Sequence, residues 1–356
     1  MIQLVELSIE VTNECTLACI HCSSGSTPKK LRNELTYKEH MALIEDARHI
    51  GATELSLSGG NPLLCHHLTK LIDRATELEY ERILIYTTGH SHLGHVIGNW
   101  PGIHRVLSND KVTWIFSFHT TDVIVNDYIM GAHGATDSII SSMKWLIQQG
   151  QTVEVHMVPM KPNYRDIPSV RKFCANIGVK KLSLLRFVPQ TRGKLNVDVL
   201  GMDKAEFIDM QLIIHKELQE ESSTEVRLGC PIDFRHALGL VPEKTKMCHA
   251  GDDLILVRPN GDVHPCAAWK SLPSDSNVRQ STISHIWHNS VTYQKIRWFK
   301  SEQPNGVAGC GTCSRVKGCV TGCLAQRLHA NGSQSLDDLW TGRGDPLCPG
   351  LPEVIE

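Results

Sequence analysis

The chain has no apolar run near the ~18 residues that a membrane-spanning helix needs, so no spanning segment is expected. It also lacks a long basic block, and its formal net charge is only -2, which removes the electrostatic footprint of a nucleic-acid binder. The N-terminus has neither a basic region nor a small-residue cleavage site; it alternates instead like a strand through Leu4, Glu6, Ser8 and Glu10. A cytoplasmic protein is expected, with a peptide or small molecule as its partner and neither nucleic acid nor membrane. Internal repeats and low-complexity segments are missing too. What remains, 356 residues with 41% hydrophobic and 21% charged, is enough for a main domain and at least one smaller one.

Cysteine is the residue in excess, at thirteen. Without a secretion signal a disulfide framework is the poorer account of so many thiols, and metal is the first alternative.

From residue 3 to about 187 a single rhythm recurs, a β-branched apolar run followed by a helix-period segment. The strands are expected at Leu4–Val11, Glu54–Leu57, Arg82–Tyr86, Val112–Phe118, Thr152–Val158 and Lys181–Phe187. Helices are expected at Tyr37–His49, His66–Leu78, Ala135–Gln149 and Asp166–Ile177. Six right-handed βα units predict an α/β fold, a partial (β/α)6 TIM-like barrel whose active site gathers at the C-terminal ends of the strands. The unusual motifs all fall there: Cys15 to Cys22 after the first strand, Ser58-Gly59-Gly60-Asn61-Pro62 after the second, Ser117-Phe118-His119 after the fourth and Arg186 after the sixth. Past residue 190 one amphipathic helix, Met202–Glu221, leads to a tail rich in cysteine, proline and glycine. A boundary near 225 divides the chain into residues 1–225 and a small cysteine-rich domain, 226–356. Pro259-Asn260-Gly261 is expected to turn a β-hairpin within that domain.

The first cluster is CxxxCxxC, Cys15, Cys19 and Cys22. It supplies three thiolates where a cubane iron–sulfur cluster normally takes four, so one iron stays open; a zinc site, which seeks four closed ligands, fits it poorly. The motif after strand one, the Gly-Gly pair after strand two and the six-unit half-barrel resemble the radical S-adenosylmethionine (SAM) superfamily over roughly residues 4 to 190. The resemblance implies a [4Fe-4S] cluster whose open iron is chelated by SAM, reductive cleavage of SAM to a 5′-deoxyadenosyl radical, and abstraction of a substrate hydrogen. It implies cofactor contacts for Gly59 and Gly60 (backbone carbonyls), for Ser117 and Arg186, and for His21, where relatives carry an aromatic; Asn61 stands where the family usually has Glu. A flavodoxin- or ferredoxin-type electron donor is implied as well.

The tail cysteines run Cys248, Cys266, then Cys310, Cys313, Cys319 and Cys323 as CxxCx5CxxxC, and Cys348. A zinc ribbon is the plain alternative for such pairs. Their gaps resemble the SPASM extension of radical SAM enzymes, which houses two auxiliary iron–sulfur clusters, [4Fe-4S] centres by that resemblance. It implies that Cys248, Cys266 and Cys323 bind the inner cluster, and Cys310, Cys313, Cys319 and Cys348 the outer. Cys230 could complete the inner cluster, donate a hydrogen atom to a substrate radical, or simply be buried. Cys174 lies at an apolar helix position and reads as core, while Cys65 is left unassigned.

Members with this extension mostly modify a ribosomally synthesised peptide, by crosslink, thioether, epimerisation or oxidation, and this is the function expected here. The alternatives are a radical epimerase or dehydrogenase acting on a small molecule such as a sugar or tetrapyrrole, and, last, a non-catalytic iron–sulfur electron carrier. Sulfatase maturation is disfavoured, because Ala267 follows Cys266 where that activity places Asp. The first strand begins by residue 4, so a leader peptide would need a separate binding protein or another surface. His90, His92 and His95 lie near the rim after strand three and read mostly as surface; Trp114 and Trp145 read as core.

Overall fold

The computed structural model describes residues 2–89, 96–229, 231–242, 248–302, 306–311, 313–314 and 319–350. Strand β1 (Glu6–Thr12) is followed by α1 (Tyr37–His49), β2 (Glu54–Gly59), α2 (Leu68–Glu77), β3 (Arg82–Thr87), α3 (Ile103–Val106) and β4 (Val112–Ser117). Next come α4 (Val123–Met130), α5 (Ala135–Gln148), β5 (Thr152–Met157), α6 (Ile167–Ile177) and β6 (Lys181–Leu184). Three further helices, α7 (Arg192–Leu195), α8 (Val197–Leu200) and α9 (Lys204–Glu217), lead to β7 (Glu225–Leu228); the tail adds β8 (Leu254–Val257) and β9 (Val263–His264).

All nine strands form one sheet in the order β7-β6-β5-β4-β3-β2-β1-β8-β9. Every pairing is parallel except β8 with β9. The parallel run of six strands in chain order, with helices between, is the expected partial barrel. Two features were not expected. β7 extends the sheet beyond β6, and the hairpin of the tail joins its other side by pairing β8 with β1, so the boundary near 225 falls within one continuous sheet. The hairpin itself turns as its sequence indicates, with Gly261 at φ 90.

The strands alternate, and the register explains why. Leu7, Ile9 and Val11 join Leu43, Ile44 and Ala47 of α1 in the core between sheet and helices. The opposite face carries Glu6, Ser8, Glu10, Ser56, Leu84, Tyr86, Ile115, Ser117 and His156, which the registers of β1 to β5 place on one side. Here Ser56 Oγ donates to Glu6 Oε1 at 2.5 Å, and the Tyr86 and His156 rings stand 5.3 Å apart edge to face. Closed barrels fill this space with branched apolar side chains; here Leu84 and Ile115 are such residues, and most of the others are polar. Trp114 is fully buried and Trp145 packs at the core's margin.

Helix starts follow from short polar signals. Thr36 with Glu39 and Asp203 with Glu206 form reciprocal capping boxes for α1 and α9, satisfying amides that would otherwise lack acceptors. No helix among the described residues is long and apolar enough to cross a membrane. Residues 90–95, which hold His90, His92 and His95, lie outside the described residues, as does Cys230.

Candidate active site

Cys15, Cys19 and Cys22 lie on the loop that leaves β1. Burial and the neighbouring thiols, Cys22 then Cys15, hold the Cys19 thiol well above its ordinary range; Cys15 is also raised, chiefly by burial. The three sulfurs thus share one small volume, and Cys15 and Cys19 lie protonated there. A metal that takes them as thiolates would release those protons and supply the missing positive charge. Among the described residues, no group of three His, Cys, Asp or Glu side chains surrounds a point where a single ion would sit. A cubane makes a different demand, since each thiolate ligates a different iron, and three converging thiols on one loop fit it.

A second segment clamps this loop. Arg192 donates to the carbonyls of Cys19 (3.0 Å) and Ser26 (2.5 Å), Thr191 Oγ1 to that of Cys22 (2.6 Å) and Asn196 Nδ2 to that of Ile20 (3.1 Å). Thr191 adopts φ 46, a region that disfavours β-branched residues, where the chain turns onto the cysteine loop. From the other side, Cys15 N–H bonds to Thr27 O and Ile20 N–H to Ile129 O. Sequence reasoning missed Arg192, Thr191 and Asn196, which carry no motif of their own.

Gly59 and Gly60 end β2 against the loop. Their amide neighbours continue the pairing, with Gly60 N–H to Thr12 O and Asn61 N–H to Glu14 O, both 2.8 Å. A Cβ on Gly59 would stand 2.3 Å from Thr12 O, and one on Gly60 2.0 Å from Glu14 O. Close backbone approach to the cysteine loop therefore requires both glycines, whatever their carbonyls bind. Asn61 is fully buried; its Oδ1 accepts from Leu63 N–H and from Thr87 Oγ1, so it caps the turn after the glycines and ties β2 to β3.

His21, in the same loop, meets His119 edge to face with ring centres 4.4 Å apart. Burial pushes His21 down to about 4, and His119 well below its ordinary value, so both are neutral near pH 7. His119 Nδ1 accepts from Val158 N–H at 3.2 Å, which leaves the proton on Nε2. His119 Nε2 and His21 Nδ1 are both buried without a protein partner in this face of the barrel. Ser117 is half-buried and pairs in register with His156 on the lumen side.

The same rim holds a charged cluster that the motifs did not signal. Glu10 of β1 is buried and accepts from Ser24 Oγ at 2.6 Å, with Lys270 Nζ at 2.5 Å and Arg258 Nε at 2.8 Å. Burial alone would raise its carboxyl, but Lys270 and Arg258 prevail and hold it down at about 2. Glu10 thereby links β1, the end of the cysteine loop, and the tail hairpin.

The tail thiols separate into two neighbourhoods. Cys266 is raised by burial and then by Cys248 and Cys323, which places those three together. Cys310, Cys313, Cys319 and Cys348 line one cavity, with Asp345 and Phe234 also in its wall. These groupings coincide with the two sets that the SPASM resemblance implies, and a cavity walled by four thiols suits a cluster rather than water. Cys65 and Cys174 are buried; burial lifts Cys65 and raises Cys174 to about 12. Arg186 departs from expectation: its guanidinium is bound to Asp345 and Gln326 of the tail, so in this structure it joins β6 to the thiol-rich region.

Residues 9–174 match the profile of the radical SAM superfamily, and residues 248–314 that of SPASM, an iron–sulfur cluster-binding domain. Two relatives named AdoMet-dependent heme synthase are each 24% identical. That of Methanosarcina barkeri matches over 343 residues, 91% of this chain and 92% of its own. That of Oleidesulfovibrio alaskensis matches over 360, covering 96% and 86%. Streptococcus suis SuiB bound to the precursor peptide SuiA shares the fold with a TM-score of 0.78 at 20% identity, over 98% of this chain and 76% of that one. The structure of anSMEcpe with bound AdoMet gives 0.70 at 14% identity, over 97% and 94%. With both profiles matched on a parallel half-barrel, the chain belongs to the radical SAM superfamily and is an enzyme of its SPASM type.

Proposed function

We propose that this enzyme modifies a ribosomally synthesised peptide by abstracting a hydrogen atom from it. The observation that carries the reading is the convergence of Cys15, Cys19 and Cys22 on a loop clamped from both sides at the C-terminal rim of the sheet, against the Gly59-Gly60 turn. When bound there, a [4Fe-4S] cluster with SAM supplies the 5′-deoxyadenosyl radical. The chain's own residues do the rest. Arg192, Thr191 and Asn196 hold the loop, His21 and His119 present two unpartnered ring nitrogens to the site, and Ser117, Gly59, Gly60 and Asn61 line or shape its edge. Cys248, Cys266 and Cys323 would hold one auxiliary cluster and Cys310, Cys313, Cys319 and Cys348 the other. Electrons would come from a flavodoxin- or ferredoxin-type donor.

A peptide is favoured by the sheet edge. Among the described residues β7 pairs only with β6, and its exposed Glu225 and Arg227 flank an open row of backbone groups to which an extended segment could add. SuiB, with the same fold, is described with a precursor peptide. A second reading, a tetrapyrrole substrate, is favoured by the two heme synthase relatives, which match nearly end to end. The test is incubation of the anaerobically reconstituted enzyme with SAM, dithionite and either the product of any small open reading frame neighbouring its gene or an iron porphyrin. Formation of 5′-deoxyadenosine together with a mass change in the peptide supports the first reading, and porphyrin-dependent turnover alone overturns it. Cys230→Ala separates its roles: loss of iron marks a ligand, whereas full iron with unproductive 5′-deoxyadenosine marks a hydrogen donor.

A further inference from the structure

Arg186 and Asp345 form an ion pair with side chains 2% and 1% exposed. Arg186 Nη2 donates to Asp345 Oδ1 at 2.6 Å and Nη1 to Oδ2 at 2.8 Å, a two-pronged contact that fixes both planes. Its Nε donates to Gln326 Oε1 at 2.5 Å and Nη1 also to Pro231 O at 3.1 Å. Asp345 has its own second duty. Its Oδ2 accepts from Cys323 N–H at 2.7 Å, and its carbonyl from Cys348 N–H at 3.0 Å. Gly322, at φ 85, makes this possible, since a Cβ there would lie 2.4 Å from the Asp345 carboxylate.

We propose that Arg186 and Asp345 are positioning residues that brace the two auxiliary thiol sets against β6 and, through their opposed charges, set the reduction potentials of the clusters those thiols hold. Cys323 belongs to the inner set and Cys348 to the outer, and the inference rests on that assignment. Burial would lower the Arg186 guanidinium, but Asp345 and then the Cys323 and Cys348 sulfurs raise it, so its charge reaches both sets. Reduction adds negative charge to a cluster; a nearby unopposed cation favours it and an unopposed anion disfavours it, strongly so where water is excluded. The intact pair is nearly neutral. Removing one member therefore leaves a net charge of known sign beside the cysteine ligands.

The test is a potentiometric titration, followed by electron paramagnetic resonance, of the full reconstituted chain and its Arg186→Met and Asp345→Asn variants. Arg186→Met should move the auxiliary midpoint potentials down and Asp345→Asn should move them up, with SAM affinity and the signal of the Cys15–Cys19–Cys22 cluster unchanged in both. Shifts of the same sign, or no shift, overturn the proposal. So does a loss of SAM affinity in Arg186→Met at unchanged auxiliary potentials, which would return Arg186 to a cofactor role. If the wild-type chain shows no auxiliary signal, the cluster assignment itself has failed; a normal wild-type signal with unmoved variants refutes only this inference.

Discussion

Replacing Glu10 by Gln should cost the fold about 3 kcal/mol near pH 7. Glu10 is 1% exposed and answers two cations, Lys270 at 2.5 Å and Arg258 at 2.8 Å, that would otherwise lie beside the core without an anion. A carboxyl that titrates at about 2 when folded and at 4.5 when unfolded corresponds to about 3 kcal/mol of stability, which agrees with the usual cost of breaking a buried pair from one side. The sign follows from the downward displacement: this stability is complete above the unfolded value of 4.5 and drains away as pH falls through the folded value near 2. Urea unfolding of wild type and Glu10→Gln between pH 7 and pH 3 measures it. The difference between the two should be largest near pH 7 and narrow steadily below pH 4.5. A Glu10→Gln variant within about 1 kcal/mol of wild type at pH 7, or a difference that widens in acid, would mean that the Glu10 carboxylate does not carry this stability.

Gly60→Ala should destabilise the protein by about 3 kcal/mol and loosen the cysteine loop, because the added methyl meets the Glu14 carbonyl rather than a side chain that can turn away; thermal unfolding and iron retention against a chelator both report it. Arg192→Ala removes two carbonyl contacts from the same loop, and iron loss from the Cys15–Cys19–Cys22 site in a mild chelator should be at least tenfold faster, with secondary structure unchanged by circular dichroism. Cys65→Ala is expected to keep the full iron content and cost about 1–2 kcal/mol in urea, as a buried structural thiol would. Missing iron in that variant would make Cys65 a ligand.

The barrel was legible because its strands and helices obey clean periods. α1 runs from Tyr37 to His49 as expected, and α5 and α6 begin or end within one residue of expectation. The two thiol neighbourhoods followed from the resemblance to the SPASM extension that the cysteine gaps carry. Three things were not legible. The four-residue β7 alternates Glu225, Val226, Arg227 and Leu228 and so carries no apolar run, and β8, one arm of the expected hairpin, has no local sign that it joins β1. The Glu10 cluster unites residues 10, 24, 258 and 270, a contact that no local pattern encodes. Arg186 lay at the right rim, yet its partner Asp345 stands 159 residues away, so its structural engagement could only be seen once the tail had folded back. Asn61 shows the converse: the departure from the family's Glu is accommodated by a capping role that a buried amide fills well.

The central claim is that Cys15, Cys19 and Cys22 hold a cluster of their own beside two others. It is tested most directly by counting iron and sulfide in the anaerobically reconstituted chain and in a variant with all three replaced by Ala, alongside 5′-deoxyadenosine formation. The reconstituted chain should carry about 12 irons, falling to about 8 in the variant, at four per cubane, with 5′-deoxyadenosine formed only by the wild type. Four irons or fewer in the wild type, or undiminished 5′-deoxyadenosine from the variant, would contradict it.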